Sequence, residues 1–226
     1  MKTRIYLIRH AEAEGNIKRI FQGNLDADLS ENAKQQLECL SKRCKELHFD
    51  AIYSSPLMRA YKTAQAANLY HKLPIVTLDG LKEIHGGCWE GEKWEELPTL
   101  YPEHNRMWIY EPWNFETEGG ESMRAVYNRM CETVTGIVKK HAGQQVCVVS
   151  HGCAIRALLC WAQGKPIEEI NSISWCDNTA LSIIDFDEML KPEIVMLNDN
   201  SHLSDEISTL KNQDWWKQFE PYVGEV

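Results

Sequence analysis

No Cys-x-x-Cys pair occurs in this chain, although it holds eight cysteines, at positions 39, 44, 88, 131, 147, 153, 160 and 176. Their scatter is not that of a disulfide framework, and some, such as Cys147 in Val-Cys-Val-Val, sit inside apolar runs. Free, buried thiols in a reducing cytoplasm account for them. The eight histidines form neither His-Glu-x-x-His nor a mixed Cys/His ligand array, so no metal site and no cofactor is expected. Apolar runs long enough to span a bilayer are missing, and the N-terminal run that ends at Ile8 is too short for a signal-peptide core. Positive charge is in deficit. The 24 Lys and Arg against 33 Asp and Glu leave a net charge of -9, which repels phosphate backbones and anionic lipid. Nucleic acid and membrane are therefore not expected partners. Repeats, low-complexity stretches and linkers are missing too, so residues 1–226 are expected to form a single domain.

What is present is an alternation of strands and helices. The 226 residues are 43% hydrophobic and 25% charged, ordinary for a globular protein. A β-branched run over Arg4–Ile8 stops at Arg9-His10, and a loop holding Phe21-Gln22-Gly23 follows over 17–29. Ser30 is expected to cap a helix through Leu47, and Phe49–Tyr53 reads as a second strand. Ser55 and Pro56 are placed to cap and start a helix to about Leu69, with Arg59 in its first turn. Pro74–Leu78 is a third strand, and Glu83 lies in the segment after it. A long amphipathic helix spans Glu121 to about His141, and Gln145–Ser150 is a strand ending at His151-Gly152. A helix to about Gln163 follows, then strands near 180–185 and 193–197, and a terminal helix over Trp215–Phe219. Such alternation implies an α/β fold with a largely parallel sheet covered on both faces.

Residues 92–120 break the pattern. They hold Trp94, Tyr101, Trp108, Tyr110, Trp113 and Phe115 without a clean period, too many aromatics for a disordered linker. A small, partly helical insertion is expected, either a satellite core or a lid whose aromatic walls select an organic leaving group.

Two strands end at histidines, His10 and His151, and a third is followed by Arg59 at a helix start. Parallel strands expose their carboxyl ends on one side, so Arg9, His10, Arg59 and His151 are expected to converge. Cations around an imidazole suit a phosphoryl group, because the guanidinium fork matches phosphate oxygens and helix N-termini add amide donors. Glu83 is the one carboxylate among these candidates, as a proton donor or simply a solvated loop residue. Gln22-Gly23 is either a substrate contact or only a turn.

These residues carry a family resemblance. Arg9-His10-Ala-Glu-x-x-x-Asn16 resembles the arginine–histidine signature of the histidine phosphatase superfamily, the phosphoglycerate-mutase-like proteins. Phe21-Gln22-Gly23, Ser54-Ser-Pro-Leu-x-Arg59-Ala-x-x-Thr63-Ala64 and Leu81-x-Glu83-x-x-x-Gly87-x-Trp89-Glu90-Gly91 are similar to its next three motifs. Gly119-Gly120-Glu121-Ser122, Ser150-His151-Gly152, Asn198 and His202-Leu203 complete the order. The resemblance implies a three-layer sandwich with a mostly parallel central sheet flanked by helices, the insertion lying over the site. It implies a phosphatase that hydrolyses a small phosphomonoester through a phosphohistidine on His10. Arg9, Arg59 and His151 would bind the non-bridging oxygens, Asn16 and the Gly152 amide would assist, and Glu83 would be the proton donor. Ala11 and Ala13 stand where the family usually has glycine and a hydroxyl residue, which puts full activity in question.

Two alternatives stay open. A phosphoglycerate mutase would need cations for the substrate carboxylate, whereas Glu92–Glu118 offers only Lys93 and Arg106 against seven glutamates. A weakly active phospholigand-binding protein is the other. A homodimer is left open as well.

Overall fold

The strand Thr3–Arg9 (β1) buries its side chains alternately in two cores: Ile5 and Leu7 in one, Tyr6 and Ile8 in the other. The strand Gln145–Ser150 (β4) does the same, with Val146 and Val148 on one side and Cys147 and Val149 on the other. A strand covered on both faces has no polar face to alternate with, which is why these two read as continuous apolar runs. In the computed structural model, which describes residues 2–213, they pair in parallel at the centre of a six-stranded sheet. The expected terminal helix at Trp215–Phe219 lies outside the described residues.

Ala51–Ser54 (β2), Ile75–Thr77 (β3), Leu181–Phe186 (β5) and Pro192–Asp199 (β6) complete the order β3-β2-β4-β1-β5-β6. The pairs β2–β3, β2–β4 and β1–β4 are parallel, whereas β5 runs antiparallel to both β1 and β6. The sheet is thus mixed and mostly parallel. The reversal has a local cause. Residues 176–179 pack against the carboxyl end of β1, where the Thr179 amide donates to the Arg9 carbonyl at 3.1 Å. A chain already at that edge must run away from it. A tight turn over 187–191, pinned by the Asp187 carboxylate on the Met189 and Lys191 amides, then returns it as β6.

Helices cover both faces. Ala33–Lys45 (α2) and Met58–Ala67 (α3) lie on the Tyr6/Ile8 side, contributing Leu40, Cys44, Ala60 and Ala64. Met123–Lys140 (α6) and Gly152–Ala162 (α7) cover the opposite face. In α6 the buried residues Met123, Val126, Met130, Val134, Ile137 and Val138 form one stripe, and the Ser122 hydroxyl caps the helix by accepting from the Ala125 amide at 3.2 Å. Each such burial contributes roughly 1.5–3 kcal/mol. None of the described helices is long and apolar enough to cross a membrane.

Some expected elements shift. The helix expected from Ser55-Pro56 begins at Met58, because the Ser55 hydroxyl is engaged by His151 at 2.7 Å and reaches the Leu57 amide only at 3.3 Å. A five-residue helix, Glu14–Lys18 (α1), too short to show a period, takes in the first two residues of the loop expected over 17–29. Residues 92–120 contain the helices Leu97–Leu100 (α4) and Pro102–Tyr110 (α5) and a 3-10 turn. They do not form a satellite core. Leu97, Trp108 and Phe115 belong to the same cluster as α6 and α7, with the Trp108 and Phe115 rings 4.8 Å apart. A last short helix, Thr209–Asn212 (α8), ends the described chain.

Candidate active site

Parallel pairing sets Arg9 opposite Ser150, so the residues that follow, His10 and His151, emerge side by side at the carboxyl edge. Their rings lie 5.1 Å apart. Arg59 arrives from the first turn of α3, and Glu83 from the segment after β3. The Glu83 carboxylate accepts from the amides of Cys153 (3.1 Å), Ala154 and Ile84 (both 3.0 Å), two of them at the N-terminus of α7. Arg9, His10, Asn16, Gln22, Gly23, Arg59, Glu83 and Gly152 all line one cavity that opens to solvent. His151 is fully buried behind it, against His10.

His10 is 3% exposed, and its Nδ1 lies 2.7 Å from the Ala11 carbonyl. A carbonyl only accepts, so Nδ1 carries the proton and Nε2 is left with its lone pair. Burial first, then the Arg59 and Arg9 guanidiniums, hold the His10 pKa well below the ordinary histidine value. The same causes lower His151. Burial pushes Arg59 down to about 10, which still leaves it a cation at neutral pH. Arg59 donates to the carbonyls of Gly23 and Leu25, both at 2.7 Å, and Arg9 donates to the Cys176 carbonyl at 2.6 Å. Among the described residues, Arg9 Nε, Arg59 Nε and His151 Nδ1 are buried without a partner. Unpaired buried donors cost free energy, and phosphoryl oxygens bound beside them would remove that cost.

Two neutral buried histidines give a pH signature. Their native pKa values lie below the unfolded value of about 6.5. Below that pH the unfolded chain binds protons that the native state refuses, so stability present above it is lost as pH falls. Each histidine contributes a slope of up to about 1.4 kcal/mol per pH unit. Denaturant titrations at pH 7.5 and 5.5 should show the loss, and His151→Gln should remove its share while leaving that of His10.

Several site residues carry no reading from the sequence. Ser55, expected only as a cap, hydrogen-bonds His151 Nε2 at 2.7 Å. Asn178 Nδ2 donates to the His10 carbonyl at 2.8 Å, and the Trp175 indole lines the cavity; Trp94 and Trp108, which line it too, belong to the insertion for which aromatic walls over a site were one of the two expectations. Position in the second motif could have flagged Ser55; a lone Asn or Trp in a loop gives no signal. Ala11 is buried without a left-handed φ, and its amide donates to Thr63 Oγ1 at 2.9 Å, so the missing glycine is not needed there. At Ala13, the Asn16 side-chain oxygen accepts from the backbone amide at 2.9 Å. Gly23 does need to be glycine: its φ is +49°, and a Cβ there would meet Glu90 Oε1 at 2.3 Å.

Residues 5–200 match the family model of the histidine phosphatase superfamily, branch 1. The chain belongs to that superfamily. Within it, the chain is 39% identical to phosphoserine phosphatase 1 of Hydrogenobacter thermophilus, over 90% of this chain and 95% of the relative. Among solved structures, Bacillus stearothermophilus YhfR superposes with a TM-score of 0.85 at 31% identity, over 89% of this chain and 100% of that one. A phosphoserine phosphatase mutant from Entamoeba histolytica, in complex with phosphoserine, superposes at 0.79 and 27% identity, over 89% and 100%. The superfamily thus accounts for the fold, and the phosphatase relative named first shares nine-tenths of this chain's length.

Proposed function

We propose that the chain, acting as one histidine-phosphatase unit with residues 92–120 as an insertion in it, hydrolyses a small phosphomonoester through a phosphohistidine on His10. One observation carries this reading: a buried neutral imidazole with Nε2 free, flanked by two guanidiniums whose Nε–H groups have no partner. His10 Nε2 attacks phosphorus, the P–O bond to the leaving group breaks, and the leaving oxygen takes a proton from Glu83. Both acceptor positions of Glu83 Oε1 are filled by amides, whereas Oε2 meets one, so the mobile proton belongs on Oε2. Water then attacks phosphorus and returns its proton to Glu83. The P–N bond breaks, His10 recovers its lone pair, and inorganic phosphate leaves.

The other groups hold charge. Arg9 and Arg59 take non-bridging oxygens as the phosphoryl group flattens. If the Ser55 hydroxyl donates to His151 Nε2, the neutral ring presents Nδ1–H as a further donor. The Ala11 carbonyl stabilises the charge that grows on the His10 ring. Asn16 and the Gly152 amide complete the cradle, with Gln22 and Gly23 on the leaving-group side.

Beyond the phosphoryl end the cavity walls are Ile20, Phe21, Ile84, Trp94, Trp108 and Trp175, which suit a small organic leaving group. A relative named for phosphoserine makes phosphoserine the first substrate to test. Mutase activity is disfavoured. Arg9 and Arg59, both assigned to the phosphoryl group, are the cavity's only cationic lining among the described residues. The insertion's own cations face its glutamates, Arg106 with Glu111 at 2.8 Å and Lys93 with Glu95 and Glu96 at 3.9 Å. The eight unpaired cysteines support a cytoplasmic setting. Purified protein should release inorganic phosphate from phosphoserine and p-nitrophenyl phosphate. It should not interconvert phosphoglycerates with a bisphosphoglycerate primer; interconversion faster than hydrolysis would overturn the reading.

A further inference from the structure

Four successive carbonyls lead to the proposed proton donor, and each is held by a side chain from another element. Arg129 of α6 donates to the carbonyls of Gly80 (3.0 Å), Lys82 (2.8 Å) and Glu83 (3.0 Å). The Ser150 hydroxyl, at the end of β4, takes the remaining one, Leu81, at 2.8 Å. This segment lies past the last residue of β3, so no strand ladder or long helix satisfies its carbonyls. Arg129 is itself fixed. Its Nε and its second terminal nitrogen meet the two oxygens of Glu121 at 2.6 and 2.8 Å, a planar bidentate pair, and its side chain is 21% exposed. The Glu121 backbone amide also donates to the His85 carbonyl at 2.8 Å, so the pair joins both ends of the loop to the start of α6.

We propose that Arg129, locked by Glu121, is the positioning residue for Glu83: it fixes the backbone while the α7 amides fix the carboxylate. This rests on the reading of Glu83 as the proton donor. The guanidinium is the side chain suited to the task, since five donors in a rigid plane can serve three carbonyls and a carboxylate together. Lysine keeps the charge but cannot span the set. Proton transfer to a leaving oxygen is sensitive to placement within about 1 Å. The loss on replacing Arg129 should therefore fall on that transfer, with binding of the phosphoryl group left intact.

Leaving-group dependence separates positioning from general damage, because a good leaving group departs without a proton and a poor one does not. Hydrolysis of p-nitrophenyl phosphate and phenyl phosphate, esters of similar shape, is compared for wild type, Glu83→Gln, Arg129→Lys, Glu121→Gln and the double variant Glu83→Gln/Arg129→Lys. Thermal unfolding confirms that each is folded at the assay temperature. Glu83→Gln should lower kcat/KM, which reports transfer to His10 and not the later hydrolysis common to both esters, about 10²-fold on phenyl phosphate, with a much smaller loss on the nitrophenyl ester. Arg129→Lys and Glu121→Gln should give the same selective pattern in kcat/KM at about tenfold, with the affinity for inorganic phosphate as a competitive inhibitor little changed. The double variant should be no worse on phenyl phosphate than Glu83→Gln. Equal losses on both esters in Arg129→Lys and Glu121→Gln, or none, while Glu83→Gln is selective, would overturn the positioning role alone. A Glu83→Gln variant without selectivity would bring down the proton-donor reading, and this inference with it.

Discussion

His10→Ala should hydrolyse p-nitrophenyl phosphate on the order of 10⁴-fold more slowly than wild type, or worse. The size follows from the role. Removing the imidazole deletes the atom that forms the bond to phosphorus, and no second nucleophile stands in its place. His151 lies with its ring centroid 5.1 Å away, but its Nε2 is engaged by Ser55, so it cannot take over without repacking. The variant should still fold. The side chain's one polar contact is to the neighbouring Ala11 carbonyl, and the His10 backbone stays paired with Ser150 and Asn178. Phosphate-analogue affinity should therefore survive, since Arg9, Arg59 and His151 remain. Residual hydrolysis near the wild-type rate would show that water or another side chain attacks phosphorus. A weakly active phospholigand-binding protein would also differ here, since its wild-type rate would already be close to that of the variant.

Arg59→Met should lower kcat/KM by about 10²–10³-fold. Arg59 is 1% exposed, and two of its nitrogens are committed to the Gly23 and Leu25 carbonyls. Its charge is thus held still, with Nε buried and unpartnered beside the site. A fixed cation needs no reorganisation as charge builds on the transferring oxygens, which is the source of its catalytic weight. The same substitution carries a stability cost. The buried Gly23 carbonyl loses its donor, a loss worth about 1–3 kcal/mol, the exposed Leu25 residue loses a second contact, and Gly23 is itself held in a left-handed conformation. Kinetics and thermal unfolding measured together separate the two effects. Arg59→Lys should recover charge without the fork, and so recover only part of either. If Arg59→Met leaves kcat/KM within a few-fold of wild type, the guanidinium serves the loop and not the phosphoryl group.

The parts of this molecule that were legible from sequence are those governed by burial on both faces of a sheet. Continuous apolar runs at 5–8 and 146–149 can end at Arg9-His10 and Ser150-His151 in one way only, with those residues at a carboxyl edge. The stripe from Met123 to Val138 was legible for the same reason, since one helical face meets one core. The reversal of β5 was not, because the direction of a strand depends on where the preceding loop leaves the chain. Residues 92–120 had no period because Trp108 serves two surfaces at once, the core with Phe115 and the cavity with Trp94 and Trp175. Ser55 and Arg129 were missed through one kind of blindness. Side-chain hydrogen bonds to distant groups, such as Arg129 to the Gly80 carbonyl, leave no periodic trace in the chain. Ala11 shows the opposite error: a departure from the family pattern suggested a deficit, and the backbone shows no need for glycine at that point.

The claim that His10 is the nucleophile can be tested without knowing the natural substrate. Wild-type protein, mixed rapidly with labelled aryl phosphate and quenched in base, should retain one phosphoryl group that is stable to alkali, labile to acid and mapped to the peptide bearing His10. No label at His10 under conditions that trap an intermediate elsewhere, or equal labelling in His10→Ala, would contradict the account.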